Sequence, residues 1–537
     1  MSLDAPNTRS KACVNCKRRK IKCDGQRPSC GQCARSVGFQ DCEYAEAGPT
    51  RTQLEQISIL EARIEGLEKP QELHSTFVLQ NPYTDEHRSA SLARSSPSTH
   101  LPIPTASSSG PSIPFEGIPR TKLETLVGDF FRHSAQFGFF LNIHNFREAL
   151  AGRLSPRPTA VLVDAVNLWA VHLSKDFITY ESSYLAQGLR TCVSALSGTH
   201  QRHTVLHTIQ AEVLLAHYFF RNTRFLEGKY HLSAAVSLVM SSGLHRIRSA
   251  DSLVAGGPLG PPHALPPSQD IVDEHERINA FWTVLTLNNC WTTADGSPSN
   301  VSYNACDIRI DTPWPMATND PALLDYALPE SSIGTICAFL EGRPDNGVSV
   351  PALHAKAAIL FEQASRLAAQ YRPNMTTEQS NKFHASFNSL DALIENFKAG
   401  LPTVCPGSSR ELFTNHSLVH VASIQLHNPF VAELDASRLR VLDSARGMIV
   451  KLGKVPITEF VLVNPIMGTL FMAICQVFIA ELGRSRRHRP LNSPLPPEER
   501  LLIGEIETIL AIMNVFAPTC RLMESQLITM QQLYHGL

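Results

Sequence analysis

Residues 13–42 read CVNCKRRKIKCDGQRPSCGQCARSVGFQDC. Six cysteines fall in this stretch in the pattern C-x2-C-x6-C-x6-C-x2-C-x8-C, and they are Cys13, Cys16, Cys23, Cys30, Cys33 and Cys42. Thiolates at C-x2-C spacing are tetrahedral ligands for Zn²⁺. Two separate tetrahedral zinc ions need eight ligands, whereas six thiolates suffice when two sulfurs bridge both metals. The spacing therefore predicts a cluster of two zinc ions, which supplies the core that so short a module cannot build from apolar side chains.

A basic run lies between the second and third cysteines. It consists of Lys17, Arg18, Arg19, Lys20 and Lys22. Residues 1–42 contain nine lysines and arginines against three aspartates, although the whole chain has a formal net charge of -1. A local positive patch on a nearly neutral chain indicates one end dedicated to a polyanion. A merely solvated surface is the alternative, and the run would also suit nuclear import.

The cysteine spacing together with the basic run resembles the fungal Zn₂Cys₆ binuclear cluster, a DNA-binding module. The resemblance implies that the first and fourth cysteines, Cys13 and Cys30, bridge both zinc ions, while two further pairs each complete one ion. Those pairs are Cys16 with Cys23 and Cys33 with Cys42. It also implies that a short helix begins at each C-x2-C.

By the same resemblance, the end of the first helix enters the major groove and reads a CGG-type triplet. Arg19 and Lys20 are the expected base readers, because Arg and Lys donate to O6 and N7 of guanine. Lys17, Arg18 and Lys22 are expected to contact mainly phosphates, which adds affinity and salt dependence. The family most often has lysine at the position of Arg19, so the division of roles between Arg19 and Lys20 stays open.

A short apolar repeat follows the cluster at Ile57, Leu60, Ile64 and Leu67. Its steps place isoleucine at a and leucine at d of a heptad, which favours a parallel two-stranded coiled coil. The seam spans two heptads and ends at Pro70, so an amphipathic helix packed on its own domain is the alternative. Since a single triplet is too short to address a genome, we predict a homodimer that reads two CGG-like half-sites.

Composition, apolar periodicity and the family resemblance together predict a mainly α chain of six segments. They are a disordered N-terminus (1–11), the Zn₂Cys₆ module (12–44), a linker (45–56), a short coiled coil (57–68), a disordered Ser/Pro-rich linker (69–114) and a large all-α regulatory domain (115–537). Residues 87–114 are dense in serine and proline, and such a composition cannot bury enough apolar surface to fold alone.

Helical apolar periodicity recurs from about residue 115 to the end, and alternating strand patterns are scarce. Examples of the predicted helices lie over 123–140, 160–173, 207–220, 230–244, 278–291, 355–371, 418–427, 439–452 and 501–516. Residues 460–482 are apolar enough to resemble a membrane span. Asn464, Pro465 and Gln476 interrupt them, so we predict a buried core helix and no membrane contact.

Several motifs in this region resemble the fungal transcription factor middle homology region. They lie at residues 126–146, 209–220, 224–246, 273–282 and 426–430. Their order behind a six-cysteine cluster extends the resemblance over roughly residues 120–480. It implies a helical regulatory domain that restrains or licenses activity and in some members senses a metabolite.

Catalytic signatures are missing from the sequence, which has no glycine-rich phosphate loop, G-x-S-x-G elbow or H-E-x-x-H motif. We therefore do not expect an enzyme. His200, His203 and His207 fit a polar helix face better than a metal site, and the acid-rich residues 273–277 fit a helix start. The four tryptophans fit either a ligand cavity or plain core packing, and they are Trp169, Trp282, Trp291 and Trp314.

Taken together, these patterns predict a nuclear, zinc-dependent, sequence-specific regulator of RNA polymerase II genes in a fungus. The expected partners are double-stranded DNA, a second copy of the chain, the transcription machinery or co-regulators, and a small-molecule effector. The seven cysteines outside the cluster stand singly in apolar surroundings, which is typical of an intracellular chain. Two alternatives are a helical ligand- or partner-binding protein in which DNA contact is secondary, and a zinc-stapled enzyme.

Overall fold

The structure is a computed structural model that describes residues 12–35, 42, 118–197, 202–250, 265–301, 303, 309–316, 331–489 and 494–537. The chain divides into two units, Met1–Thr84 and Asp85–Leu537. Four predicted segments lie outside the described residues, namely the N-terminal segment (1–11), both linkers (45–56 and 69–114) and the coiled coil (57–68). Of the zinc module, residues 12–35 and 42 are described. Over the described ranges the secondary structure is helical with no β-strand, which confirms the mainly α prediction.

Two short helices form the described part of the first unit, Val14–Arg18 (α1) and Gly31–Ala34 (α2). The second unit contains the remaining helices. They are Arg120–Phe131 (α3), Ile143–Leu150 (α4), Ala160–His172 (α5), Glu181–Ser194 (α6), Arg202–Arg221 (α7), Phe225–Ser241 (α8), Ile271–Asp295 (α9), Thr335–Leu340 (α10), Val350–Ala368 (α11), Thr377–Gly400 (α12), Arg410–His427 (α13), Asp435–Leu452 (α14), Ile466–His488 (α15), Pro497–Phe516 (α16) and Arg521–His535 (α17).

One continuous apolar core holds the second unit together. Helix α13 lies at its centre, where it packs against α11, α12, α14 and α15. Nearly every residue of α13 from Leu412 to Leu426 is buried, as expected for a helix that is surrounded on all sides. On the other side of the core α7 packs against α5, α8 and α9, and α17 contacts α7 and α15.

The predicted helix over 123–140 is too long, because α3 ends at Phe131. A 3₁₀ turn over Ser134–Phe137 follows, and Gly138 then adopts a left-handed conformation with φ of 70°. A Cβ atom at Gly138 would lie 3.0 Å from Thr283 Cγ2, so this close approach to α9 suits glycine. The apolar residues after Phe131 therefore enter the core from a turn.

The apolar stretch 460–482 forms most of α15. By length and composition alone, Ile466–His488 and Pro497–Thr519 are apolar enough to cross a membrane. In the structure α15 packs against α9, α13, α14, α16 and α17, and Leu470, Phe471 and Phe478 are buried. The expectation of a core helix at this position is met by that packing.

The acid-rich segment before Ile278 opens α9, as predicted. Asp270 is the N-cap and its side chain accepts a hydrogen bond from the Asp273 backbone N–H at 2.8 Å. The Asp273 carboxylate in turn pairs with Arg277 one turn later, with an Nε–Oδ1 distance of 2.8 Å. The Asp270 carboxylate thus caps the first turn of the helix, and both carboxylates offset the positive end of the helix dipole.

We expect two buried histidines to make the stability of the second unit depend on pH. Burial lowers the pKa of His217 to about 3, and burial together with the Lys451 ammonium lowers that of His420 to about 2. In the unfolded chain each takes up a proton near pH 6.5, so acidification below that value favours unfolding.

We expect His420→Gln to weaken this pH dependence. Between pH 7.5 and 5.5, the free energy of unfolding should fall by about 1.4 kcal/mol less in the variant than in the unchanged chain. Urea denaturation at fixed ionic strength measures this difference. The matched control is His384→Gln, at an exposed position, which should keep the original slope. Equal slopes for all three proteins would contradict the prediction.

Candidate metal centre and nucleic-acid interface

Both short helices of the first unit begin at a C-x2-C pair. Cys13 is the N-cap of α1, and its Sγ accepts a hydrogen bond from the Cys16 backbone N–H at 3.4 Å. Cys30 caps α2 in the same way, accepting from the Cys33 N–H at 3.4 Å. Because Cys13 and Cys30 share extended backbone angles and the same role, the two halves repeat one local structure, as the sequence predicted.

Six sulfurs gather between these helices. They form two groups of four, in each of which all sulfurs lie within 4.8 Å of one another. One group is Cys13, Cys16, Cys23 and Cys30, and the other is Cys13, Cys30, Cys33 and Cys42. The two groups share the first and fourth cysteines, which is the pair that the resemblance assigned to the bridge.

The sulfur spacing fits zinc. The Sγ atoms of Cys13 and Cys30 are 3.7 Å apart, those of Cys13 and Cys33 are 3.7 Å apart, and those of Cys16 and Cys30 are 3.6 Å apart. A tetrahedron with Zn–S bonds of about 2.3 Å has edges of about 3.8 Å. The donor set and its dimensions therefore match two zinc-thiolate tetrahedra with a common edge.

Asp24 ties the two halves together, and sequence analysis did not identify it. Its carboxylate accepts hydrogen bonds from the Gly31 backbone N–H, with an N–Oδ2 distance of 2.9 Å, and from the Gln26 N–H. A Cβ atom at Gly31 would lie 2.5 Å from Asp24 Oδ2, so glycine makes room for this contact at the start of α2. Since Asp24 stands seven residues before Gly31, no local capping pattern points to it.

The basic run leaves α1 as a continuous exposed stretch. Lys17 and Arg18 occupy the last turn of the helix, and Arg19 is its C-cap. Lys20 follows in a left-handed conformation with φ of 56°, and Lys22 lies in the extended segment beyond it. The run thus begins on the helix and continues past its end, so its charges face solvent beside the sulfur cluster.

The second unit holds one further group of metal-ligating residue types within the described ranges, formed by Cys192, Glu212 and His231. Here Cys192 Sγ donates to Glu212 Oε1 at 3.0 Å, and His231 Nδ1 lies 2.6 Å from Glu212 Oε2. These are hydrogen-bond distances, so the trio satisfies a buried carboxylate without a metal.

The histidines singled out on α7 do not form a metal site in the part of the chain that the structure describes. His203 and His207 make an edge-to-face ring contact with centroids 5.7 Å apart. His207 Nδ1 accepts a hydrogen bond from the Thr159 backbone N–H at 3.3 Å. His200 lies outside the described residues.

Comparison with known proteins finds a domain match within the first unit. Residues 11–51 match the fungal Zn(2)-Cys(6) binuclear cluster domain. This match and the clustered sulfurs confirm the prediction of a cluster of two zinc ions. No solved structure matches the chain.

Three similar proteins extend the comparison beyond the cluster. The chain is 27% identical over 348 residues to the citrinin biosynthesis transcriptional activator mrl3 of Monascus ruber, a match that covers 57% of this chain and 65% of mrl3. It is likewise 27% identical over 348 residues to the citrinin biosynthesis transcriptional activator ctnR of Monascus purpureus, covering 57% of this chain and 58% of ctnR. It is 36% identical over 107 residues to transcription factor FBD3 of Gibberella moniliformis, covering 19% of this chain and 13% of FBD3. The chain thus spans less than two thirds of each of these relatives, whose names all describe transcription regulators rather than enzymes.

Proposed function

We propose that this chain, whose N-terminal module is a fungal Zn(2)-Cys(6) binuclear cluster domain, is a nuclear, sequence-specific regulator of RNA polymerase II genes. The observation that carries the proposal is the pair of four-sulfur groups that share Cys13 and Cys30, with the basic run leaving α1 beside them. The similarity to fungal transcription regulators outside the cluster supports it.

In this proposal the two shared sulfurs bridge both zinc ions. Cys16 and Cys23 complete the first ion, and the second is completed by Cys33 and Cys42. The bound metals hold α1 and α2 at a fixed angle, because the described part of the module has few other buried side chains. Rigid zinc coordination thereby fixes the direction in which the basic run projects.

The basic run would contact DNA in two ways. Arg19 and Lys20, at the end of α1, would donate to guanine edges in the major groove. Lys17, Arg18 and Lys22 would hold phosphates on either side. All five side chains are exposed, which supports their contact with DNA, and the position of Arg19 at the C-cap of α1 supports its place among the base readers.

We further propose that the chain binds as a homodimer to a pair of CGG-like half-sites, because one triplet gives too little specificity. The heptad repeat at 57–68 is the proposed dimer contact.

Since two relatives are named transcriptional activators, we propose that this chain activates transcription. A reporter gene behind paired CGG sites should therefore be induced by this chain and stay silent with scrambled sites.

Gel-shift titration of the full chain tests the proposal directly. We expect binding to duplexes with two CGG triplets, loss of binding to scrambled duplexes, and loss of all specific binding after zinc chelation. Affinity should fall steeply with salt, because phosphate contacts release counterions. Equal binding to scrambled DNA, or binding that survives chelation, would refute the proposal.

Lys20→Ala should reduce specific binding without unfolding the module. Loss of a guanine contact costs about 1–3 kcal/mol, which corresponds to roughly a 5- to 160-fold weaker affinity for CGG sites. Affinity for scrambled DNA should change far less. Fluorescence anisotropy with both duplexes, together with the zinc content, measures this.

Lys17→Ala is the matched comparison, since Lys17 lies on the same exposed run but within α1. It should weaken binding to both duplexes alike and lower the salt dependence by about one counterion. If Lys20→Ala behaved in this uniform way, the assignment of Lys20 as a base reader would be wrong.

A further inference from the structure

A cavity of about 430 Å³ lies inside the second unit. Its walls come from α7, α9, the first turns of α11 and α13, and the turn around Gly138. A volume of this size suits a small organic molecule. Apart from a few polar groups the lining is apolar, and it includes Phe139, Phe140, Trp282, Trp291 and Met316.

The two indoles of the lining are held rigidly from outside the cavity. Trp282 stacks on Trp314 with centroids 4.5 Å apart, and its Nε1–H donates to Pro313 O at 2.6 Å. Trp291 stacks on Phe220 with centroids 4.0 Å apart and an interplanar angle of 12°. Because the stacked partners do not line the cavity, they fix the aromatic walls without filling the space.

Three buried polar atoms in the lining lack hydrogen-bond partners. They are His217 Nδ1, Asn279 Oδ1 and Trp291 Nε1, and their residues are only 3%, 7% and 2% exposed. Buried polar groups in folded proteins are nearly always paired. Each of these atoms has almost no accessible surface, so the three residues line the cavity mainly through their other atoms.

The lining is poorly suited to an anion. None of the lining residues in the described ranges is lysine or arginine. Burial lowers the pKa of His217 to about 3, and it also lowers that of His354, so both imidazoles are neutral. The remaining charged group, the Glu411 carboxylate, already accepts a hydrogen bond from Gln136 Nε2.

His354 contributes an acceptor of fixed orientation. Its Nδ1 lies 2.7 Å from Asn415 Oδ1, and the Asn415 amide nitrogen donates to Val350 O at 3.3 Å. The amide contact orients Asn415, so the neutral imidazole donates from Nδ1 and keeps Nε2 as an acceptor. The cavity therefore combines rigid aromatic walls with hydrogen-bonding groups and no cationic side chain.

We propose that this cavity binds an uncharged, mainly aromatic small molecule. The site is independent of the zinc cluster and of the proposed DNA-binding function, because it is built entirely from the second unit.

A pair of fluorescent dyes with one skeleton tests the proposal on the full chain. N-phenyl-1-naphthylamine is uncharged and has one N–H donor, and 8-anilino-1-naphthalenesulfonate adds a sulfonate to it. We expect saturable binding of one neutral dye per chain and at least about tenfold weaker binding of the sulfonate, because burying an unpaired anion is costly. Equal affinities, or no saturable binding of the neutral dye, would overturn the proposal.

A substitution that fills the cavity tests whether the dye binds there. Thr286 lines the cavity from α9, so Thr286→Met should weaken binding of the neutral dye at least about tenfold. Thr283→Met, from the preceding turn, serves the same purpose if the first variant does not fold. Thr508→Met, at an exposed position of α16, is the control and should bind as the unchanged chain does. Unchanged dye binding in a folded cavity-filling variant would place the dye elsewhere and overturn the proposal.

Discussion

Cys30→Ser should unfold the zinc module and abolish specific DNA binding. Cys30 belongs to both four-sulfur groups, so its loss removes one ligand from each metal at once. A serine hydroxyl is a hard oxygen donor that replaces a bridging thiolate poorly. Since zinc binding supplies most of the folding free energy of such a module, we expect a fall from two zinc ions per chain to fewer than one. Affinity for paired CGG sites should drop at least about 100-fold.

Cys337→Ser provides the matched control for this experiment. Cys337 is an exposed free cysteine of the second unit, far along the chain from the cluster. This variant should keep two zinc ions and full affinity for DNA. Metal content by mass spectrometry and gel shifts on the same preparations compare the two variants. A Cys30→Ser protein that retained both zinc ions would show that Cys30 is not a shared ligand.

Trp169→Ala should destabilise the second unit by about 3–5 kcal/mol, as expected for removal of a large buried side chain. The Trp169 side chain is 0% exposed, and its Nε1–H donates to Leu214 O at 2.9 Å. Its ring stacks on Phe137 with centroids 3.9 Å apart, which links α5 to the turn after α3. Alanine would leave a void at this junction. Urea denaturation followed by circular dichroism measures the loss.

Leu226→Ala is the control for this second prediction. Leu226 is 76% exposed on α8, so its truncation should change the free energy of unfolding by less than about 0.5 kcal/mol. The zinc content of both variants should remain at two ions per chain, because the module is held by its own ligands. An unchanged denaturation midpoint for Trp169→Ala would mean that Trp169 is not part of the core.

The zinc module shows how far local patterns reach. The cysteine spacing predicted the sulfur cluster, and the family resemblance implied the two short helices that begin at the C-x2-C pairs. Asp24 was missed because its partner, the Gly31 N–H, is reached only after the chain has reversed direction. The basic run was recognised from charge alone, but the left-handed turn at Lys20 was not, because lysine gives no signal for that conformation.

In the second unit, sequence patterns located several helices but not all of their limits. Apolar periodicity found the buried helices, including α7, α9 and α13. The named examples do not include α12, where only Phe383, Leu390 and Ile394 are buried and a capping box at Thr376 marks the start. Apolar periodicity also extended the first helix past Phe131, because the apolar residues that follow are buried in a 3₁₀ turn and the segment after it rather than on a helix face.

The sequence by itself therefore determined the zinc cluster, its cationic neighbourhood and the helical character of the rest. Metal coordination by C-x2-C pairs and helical periodicity depend on residues a few positions apart, so both can be recognised from the sequence alone. Only the tertiary structure decided that Trp282, Trp291, His217 and Asn279 line one cavity. These residues come from separate helices, and packing over long sequence separations, rather than local spacing, brings them together.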